Sequence, residues 1–385
     1  MKNAIEVKNE VFEMTRKYKE LMQKITQDLY DNPELGGKEY FAQKLVGKIL
    51  DENGFDVEYG ILDFETAFTG RYRNSSNGAN IGLLVEYDAL PEIGHGCGHN
   101  ASCAISIVSA VILKGIMDKY NLEGTITVFG TPGEETICSK VRMAEEGVFD
   151  KLDIAMMVHA YDKWMIDCRT MALDSIEIVF KGKSVHAAAA PEDGVNALDA
   201  IMLTFSGINC LRQHIKDGSR IHGIVCDGGE APNTVPGYGR ARFYTRAEKR
   251  DYLDVISRKL KNCAEGAAIA TGCSLEINNF ETSLDNIKPC DKLMELFAAN
   301  LAEIHDDSGI DMSPIMIGST DVGNVSQIVP TIHPLMGLVK NGCILHTKEF
   351  ADETIKEYAF ENIAEAVYAV TCTAIDRIIE PDDII

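Results

Sequence analysis

The chain has 385 residues, 45% of them apolar and 25% charged, which is an ordinary globular balance with length enough for two domains. A formal net charge of −22 excludes a nucleic-acid partner, whose phosphates need a basic surface, and suits an anionic membrane poorly. It sets no such limit on a small anionic substrate, which needs only local positive charge.

Residues 1–20 are rich in Lys and Glu and lack the apolar core of a secretory signal, so a cytoplasmic location is expected. The 11 cysteines are scattered, with no CxxC pair, and read as reduced thiols. Val11, Met14, Tyr18, Leu21, Met22, Ile25 and Leu29 recur at three- and four-residue spacings and predict one helix that stops at Asn32-Pro33. A second helix is expected over Tyr40–Glu52. Apolar runs at Ile81–Glu86, Thr125–Phe129 and Ile154–Val158 predict buried strands, with a helix near Ala101–Met117 between the first two. No apolar run reaches the length of a membrane span; Ala104–Ile116, interrupted by Ser106, Ser109 and Lys114, reads as a buried helix.

The texture changes near Ala172. Ile176, Ile178 and Phe180 alternate as in a half-buried strand, and Leu198, Ile201, Phe205, Ile208 and Leu211 then mark a helix face. Strands near 221–226 and 239–246, a helix over 251–270 and a strand at 274–277 complete a β-α-β-β-α-β unit. Longer helices return at Leu293–Ile304 and Glu349–Ile378. The expected architecture is an α/β domain (1–171 and 282–385) interrupted by an inserted four-stranded α+β domain (172–281).

The densest chemical signal runs from Glu86-Tyr87-Asp88 to Gly94-His95-Gly96-Cys97-Gly98-His99-Asn100, at a strand end leading into a helix. Cys97 and His99 could share a metal, glycines allowing close approach; thiolate and imidazole suit zinc or cobalt, and carboxylates extend the range to manganese. Glu134 and Glu135 follow another strand. One could ligate a metal while its neighbour acts as general base, although alone the pair reads more simply as acids at a helix N-terminus. His159 ends the third strand and His346 lies near the C-terminus; either alone is more often structural. Together, Cys97, His99, Glu135, His159 and His346 flank strand ends of one domain, about what a two-metal site needs. In the insert, His186 leaves the first strand, Asn233 precedes another, and Arg240, Arg242 and Arg246 share a parity. The arginines could be a solvated face or could bind a substrate carboxylate.

These segments, with Ser319–Ser326 and LHTKEF, resemble the aminoacylase-like dinuclear metallopeptidases and amidohydrolases, peptidase family M20. They look closest to the branch of p-aminobenzoyl-glutamate and β-alanyl-dipeptide hydrolases. The resemblance implies a mixed-sheet catalytic domain with an inserted lid and dimerisation domain, and a homodimer. It implies two divalent ions (Zn, Mn or Co) per subunit on Cys97, His99, Glu135, His159 and His346. Glu134 would be the general base on metal-bound water, Asp88 would orient a ligand, and His186 would stabilise the oxyanion, in many members at a partner's site. Asn233 and Arg246 would bind substrate, Arg246 at a carboxylate. The implied activity is C–N hydrolysis of a small N-acyl-amino acid, acyl-glutamate or dipeptide-like amide with a free carboxylate; the alternative is a non-catalytic ligand-binding member of the fold. Departures are Asn100 where many members have Asp, Ser102 in place of a further His, and Thr320 in place of an acid before Asp321.

Overall fold

The computed structural model describes residues 4–75, 77–305, 310–339 and 342–380. Contacts divide the chain into two compact units, residues 1–169 with 287–385, and residues 170–286. The chain begins with α1 (Ala4–Lys17), α2 (Lys19–Asp31), α3 (Tyr40–Glu52), β1 (Asp56–Ile61), β2 (Phe64–Arg73), β3 (Ala79–Val85), α4 (His99–Tyr120), β4 (Gly124–Gly130), α5 (Ser139–Glu145) and β5 (Ile154–Met156). Short strands β6 (His159–Tyr161), β7 (Trp164–Met165) and β8 (Cys168–Thr170) follow. Next come β9 (Ala172–Lys181), α6 (Ala197–Leu211), β10 (Arg220–Asp227), β11 (Tyr238–Ala247), α7 (Arg250–Thr271) and β12 (Ser274–Asn278). The chain ends with α8 (Asp291–Ala302), β13 (Ile310–Asp311), β14 (Ile315–Ile317), α9 (Val322–Ser326), β15 (Thr331–Ile332), β16 (Leu335–Gly337), α10 (Lys348–Glu353) and α11 (Glu357–Ile379).

The first unit is built on a mixed sheet in the order β1-β2-β4-β3-β5-β15. The strands β4, β3, β5 and β15 run parallel, while β2 is antiparallel to both β1 and β4. Alternation along each strand sends side chains to opposite faces. Leu83, Val85, Ile126 and Val128 join the core with α1, α2, α4, α8 and α11. Leu84, Phe129, Ala155 and Met157 join a second core with Met143 of α5 and Val322 and Val325 of α9. The result is three layers, with β3, β4 and β5 buried on both faces.

Three sequence expectations change here. The predicted first helix is two helices, because the chain turns at Tyr18 (φ −93°, ψ 10°) while the apolar stripe carries on from Val7 and Val11 to Met22, Ile25 and Leu29. The predicted last helix divides between α10 and α11, at buried Thr354. The run thought too short for a membrane belongs to a 22-residue helix, α4, long and apolar enough by composition to cross one. In this fold 89% of its most apolar window is buried, against β3, β4, α2 and α11.

The second unit is an antiparallel sheet in the order β10-β11-β9-β12. Its core packs Ile176, Ile178, Phe180, Ala241 and Phe243 beneath α6 and α7, whose contributions include Ile201, Ile208, Leu253, Ile256 and Leu260. The opposite parity of β11 carries Arg240, Arg242, Tyr244 and Arg246, all half-exposed.

Candidate active site

The parallel strands β3, β4 and β5 end together, and the polar residues of the first unit gather beyond those ends. β3 delivers Glu86 and Asp88, the loop after β4 delivers Glu134 and Glu135, and β6 opens with His159. Glu134 and Glu135 lie in a turn ahead of α5, so the reading of two acids within a helix's first turn does not apply. His99 is the first residue of α4, preceded by Gly98 in the left-handed conformation (φ +75°). A Cβ on Gly98 would stand 2.4 Å from the Cβ of Ala160, so only glycine lets the Cys97–His99 turn pack against β6. His346 has φ +64° and donates its backbone N–H to the Gly96 carbonyl at 2.8 Å. A non-glycine residue in that conformation costs of order 1–3 kcal/mol, a kind of strain that clusters at functional sites.

His99, buried, and His159, half-buried, are oriented alike. His99 donates its Nδ1–H to the Asp88 carboxylate and carbonyl, both at 3.0 Å, and His159 donates its Nδ1–H to the Ala160 carbonyl at 2.8 Å. That leaves Nε2 of each ring as the lone-pair nitrogen facing the cluster. Cys97 Sγ lies 3.6 Å from His159 Nε2 and 3.4 Å from His346 Nε2, and His346 Nε2 lies 3.3 Å from Glu135 Oε1. Donor atoms of Cys97, His99 and His159, of Cys97, Glu135 and His346, and of His99, Glu134 and Glu135 lie within 4.8 Å of one another in each trio. His99 Nε2, Glu135 Oε1 and Glu86 Oε2 are buried without a hydrogen bond among the described residues. Buried polar atoms left so are costly, and a mixed set of soft thiolate, borderline imidazole and hard carboxylate aimed inward fits divalent cations. Asp88 ties the set together, its second oxygen accepting the Glu135 backbone N–H at 3.0 Å.

The electrostatics of the metal-free cluster follow from burial and crowding. Burial opposes charge on His99, but Asp88 and Cys97 outweigh it and raise its pKa well above the usual histidine range. Burial likewise opposes ionisation of Asp88, yet His99 and the Glu135 N–H hold it at about 2. Glu134 is pushed far above the ordinary carboxylate range by burial first, then by Glu86, Asp321 and Glu135. A bound cation acts in the opposite sense on His99 and Glu134, favouring the neutral imidazole and the ionised carboxylate.

Two buried residues near the cluster had no readable signal in the sequence. Lys140 is fully buried and donates at 2.7 Å to both Glu86 and Asp321. His333, which follows β15, places its ring 5.5 Å from that of His159, and burial, then His159, lowers its pKa to about 3. A single Lys in a helical stretch ordinarily marks a solvated face, and a single His a core filler. The departure at Asn100 also has a structural role: its amide donates to the Thr26 carbonyl (3.1 Å) and to Thr354 Oγ1 (2.9 Å), locking α4 to α2 and to the break before α11.

The remaining sequence candidates lie in the second unit. His186 forms an isolated bridge with Thr234, and the Ala187 N–H donates to the Asn233 carbonyl at 2.9 Å, so His186 and Asn233 share one loop cluster. Arg246 is at the other end of β11, paired with Leu173 and Arg220. The arginine row divides by partner: Arg240 pairs with Asp227 at 2.9 Å and Arg242 with Glu177 at 2.7 Å, while the Arg246 guanidinium lies 5.7 Å from the Tyr244 ring centre.

Residues 82–372 match the protein family described as peptidase family M20/M25/M40. The chain is 29% identical to the human (Homo sapiens) Xaa-Arg dipeptidase over 377 residues, covering 93% of this chain and 86% of that protein. It is 30% identical to the Xaa-Arg dipeptidase of Mus musculus over 372 residues, covering 93% of this chain and 85% of that protein. A p-aminobenzoyl-glutamate hydrolase polypeptide of Escherichia coli strain K12 is 32% identical over 271 residues, covering 66% of this chain and 56% of that one. The fold is similar to a solved dinuclear metal binding peptidase of the M20 family from Bacillus subtilis, with a TM-score of 0.67 at 16% identity, over 94% of this chain and 99% of the other.

Proposed function

The chain belongs to peptidase family M20/M25/M40, and from that membership we propose that it hydrolyses the C–N bond of a small N-acyl-amino acid, acyl-glutamate or dipeptide-like amide carrying a free carboxylate. Membership itself makes it an enzyme, a metal-dependent hydrolase of amide bonds in small substrates. The observation that carries the finer reading is the convergence of His99 Nε2, His159 Nε2, Cys97 Sγ, Glu135 and His346, with Glu134 beside them.

In this reading Cys97, His99, Glu135, His159 and His346 hold two divalent ions, of zinc, manganese or cobalt. When bound, such ions supply Lewis acidity to the scissile carbonyl and to the attacking water. Glu134 removes a proton from that water as its oxygen bonds to the carbonyl carbon. As the C–N bond breaks, Glu134 passes the proton to the leaving nitrogen, giving a carboxylic acid and a free amine. Asp88 keeps His99 in the Nδ1–H tautomer and so keeps Nε2 available. His186 donates to the oxyanion, Asn233 orients the substrate, and Arg246 takes its carboxylate.

Glu134→Gln keeps the size of the side chain and the ligand set but removes the base. Its metal content is expected to match the parent while kcat falls on the order of a hundred- to ten-thousand-fold. A parent-like kcat would remove Glu134 from the mechanism.

A further inference from the structure

A buried ammonium sits among the carboxylates that border the proposed base. Glu86, Glu134 and Asp321 each offer an oxygen within 4.8 Å of the other two. A trio of hard oxygen ligands is the start of a divalent-cation site. Here the space beside Glu86 and Asp321 is already taken by the Lys140 ammonium, which donates at 2.7 Å to Glu86 Oε1 and to Asp321 Oδ1. All three side chains are fully buried. Asp321 also accepts the Lys140 backbone N–H through Oδ2 at 3.2 Å, so it grips both the start of α5 and the tip of its lysine. Glu86 is divided in the same way: Oε1 faces Lys140, and Oε2 lies 3.4 Å from His99 Nε2. One cation therefore fixes the carboxylate that faces a ligand histidine and the carboxylate that neighbours Glu134.

We propose that Lys140 is a positioning residue for hydrolysis. Its ammonium stands in for a metal ion among Glu86, Glu134 and Asp321, holds Glu86 against His99, and leaves Glu134 without a cation ligated to it. A divalent ion in that place would bind Glu134 directly and withdraw it from proton transfer, whereas a lysine bound to the other two acids does not. The catalytic consequence rests on Glu134 as the base, but the exclusion of an ion from the trio is independent of that reading.

The test is Lys140→Ala, equilibrated with manganese, desalted and analysed for metal per protein chain, together with kcat and KM. The variant is expected to retain one manganese ion more per chain than the parent. Its kcat is expected to fall at least tenfold, with KM changed less than threefold. An unchanged ion count in folded protein overturns the proposal, even if Glu134→Gln shows Glu134 to be the base. Removing one member of a buried pair strands the other, and losing both together is better tolerated. If Lys140→Ala does not fold, Lys140→Ala/Asp321→Asn is the substitute. It still deprives Glu86 of its cation and should show the same fall in kcat; a parent-like kcat there overturns the proposal.

Discussion

Glu39 shows at a single residue how this first unit tolerates buried charge. It is fully buried, accepts a hydrogen bond from Thr66 at 2.8 Å, and keeps its other oxygen without a partner among the described residues. Burial raises its pKa from the ordinary 4.5 to about 7, with the Thr66 hydroxyl pulling the other way. Between those two values the folded chain holds a proton that the unfolded chain has released. This group's contribution is therefore fully favourable below about 4.5 and is lost as pH rises to about 7. Glu39→Gln, always neutral, should flatten the dependence of the urea midpoint on pH over that window. A variant with the parent's slope would show that Glu39 does not carry it.

At the scale of elements, the Cys97–His99 turn is held by close backbone approach as much as by side chains. Gly98→Ala forces a Cβ into the Ala160 methyl and places a side chain at φ +75°. It should cost about 1–3 kcal/mol, read as a lower urea midpoint, and should weaken metal retention by moving Cys97 and His99 together. Parent-like stability and retention would mean that the turn relaxes freely. The elements best legible from sequence were α3 over Tyr40–Glu52, with its one buried face, the continuous apolar runs of β3 and β4, buried on both faces, and β9 and β11, of which only β11 alternates in burial. Strand β1 alternates over Asp56–Ile61 but is short and buries none of its residues, and with it β2 passed unread. The bends at Tyr18 and Thr354 were hidden because an apolar stripe stays in phase across a turn that keeps the same core.

At the scale of the whole molecule, the gathering of Cys97, His99, Glu135, His159 and His346 was readable because His, Cys and Glu recurred at strand ends, a placement with chemical meaning even before the strands were assembled. Lys140 and His333 were not, since their significance lies in what surrounds them after folding. His186 and Asn233 sit at the start of β11 and Arg246 near its end, and Tyr238 to Arg246 spans about 26 Å of extended strand. This separation supports a reading in which one substrate meets His186 of one protomer and Arg246 of another in a homodimer. Mixing inactive His186→Ala with inactive Arg246→Ala protomers should then restore a measurable fraction of activity, because one composite site has both residues intact. No recovery after demonstrated exchange of protomers would place the residues in one chain's site.

The most direct measurement is amine release by metal-stripped protein from N-acyl-amino acids, p-aminobenzoyl-glutamate and β-alanyl dipeptides, before and after zinc, manganese or cobalt is returned. The account predicts no turnover without metal and restored cleavage of at least one carboxylate-bearing amide with it. Cleavage that persists in fully stripped protein, or none in protein shown to have rebound its ions, would contradict it.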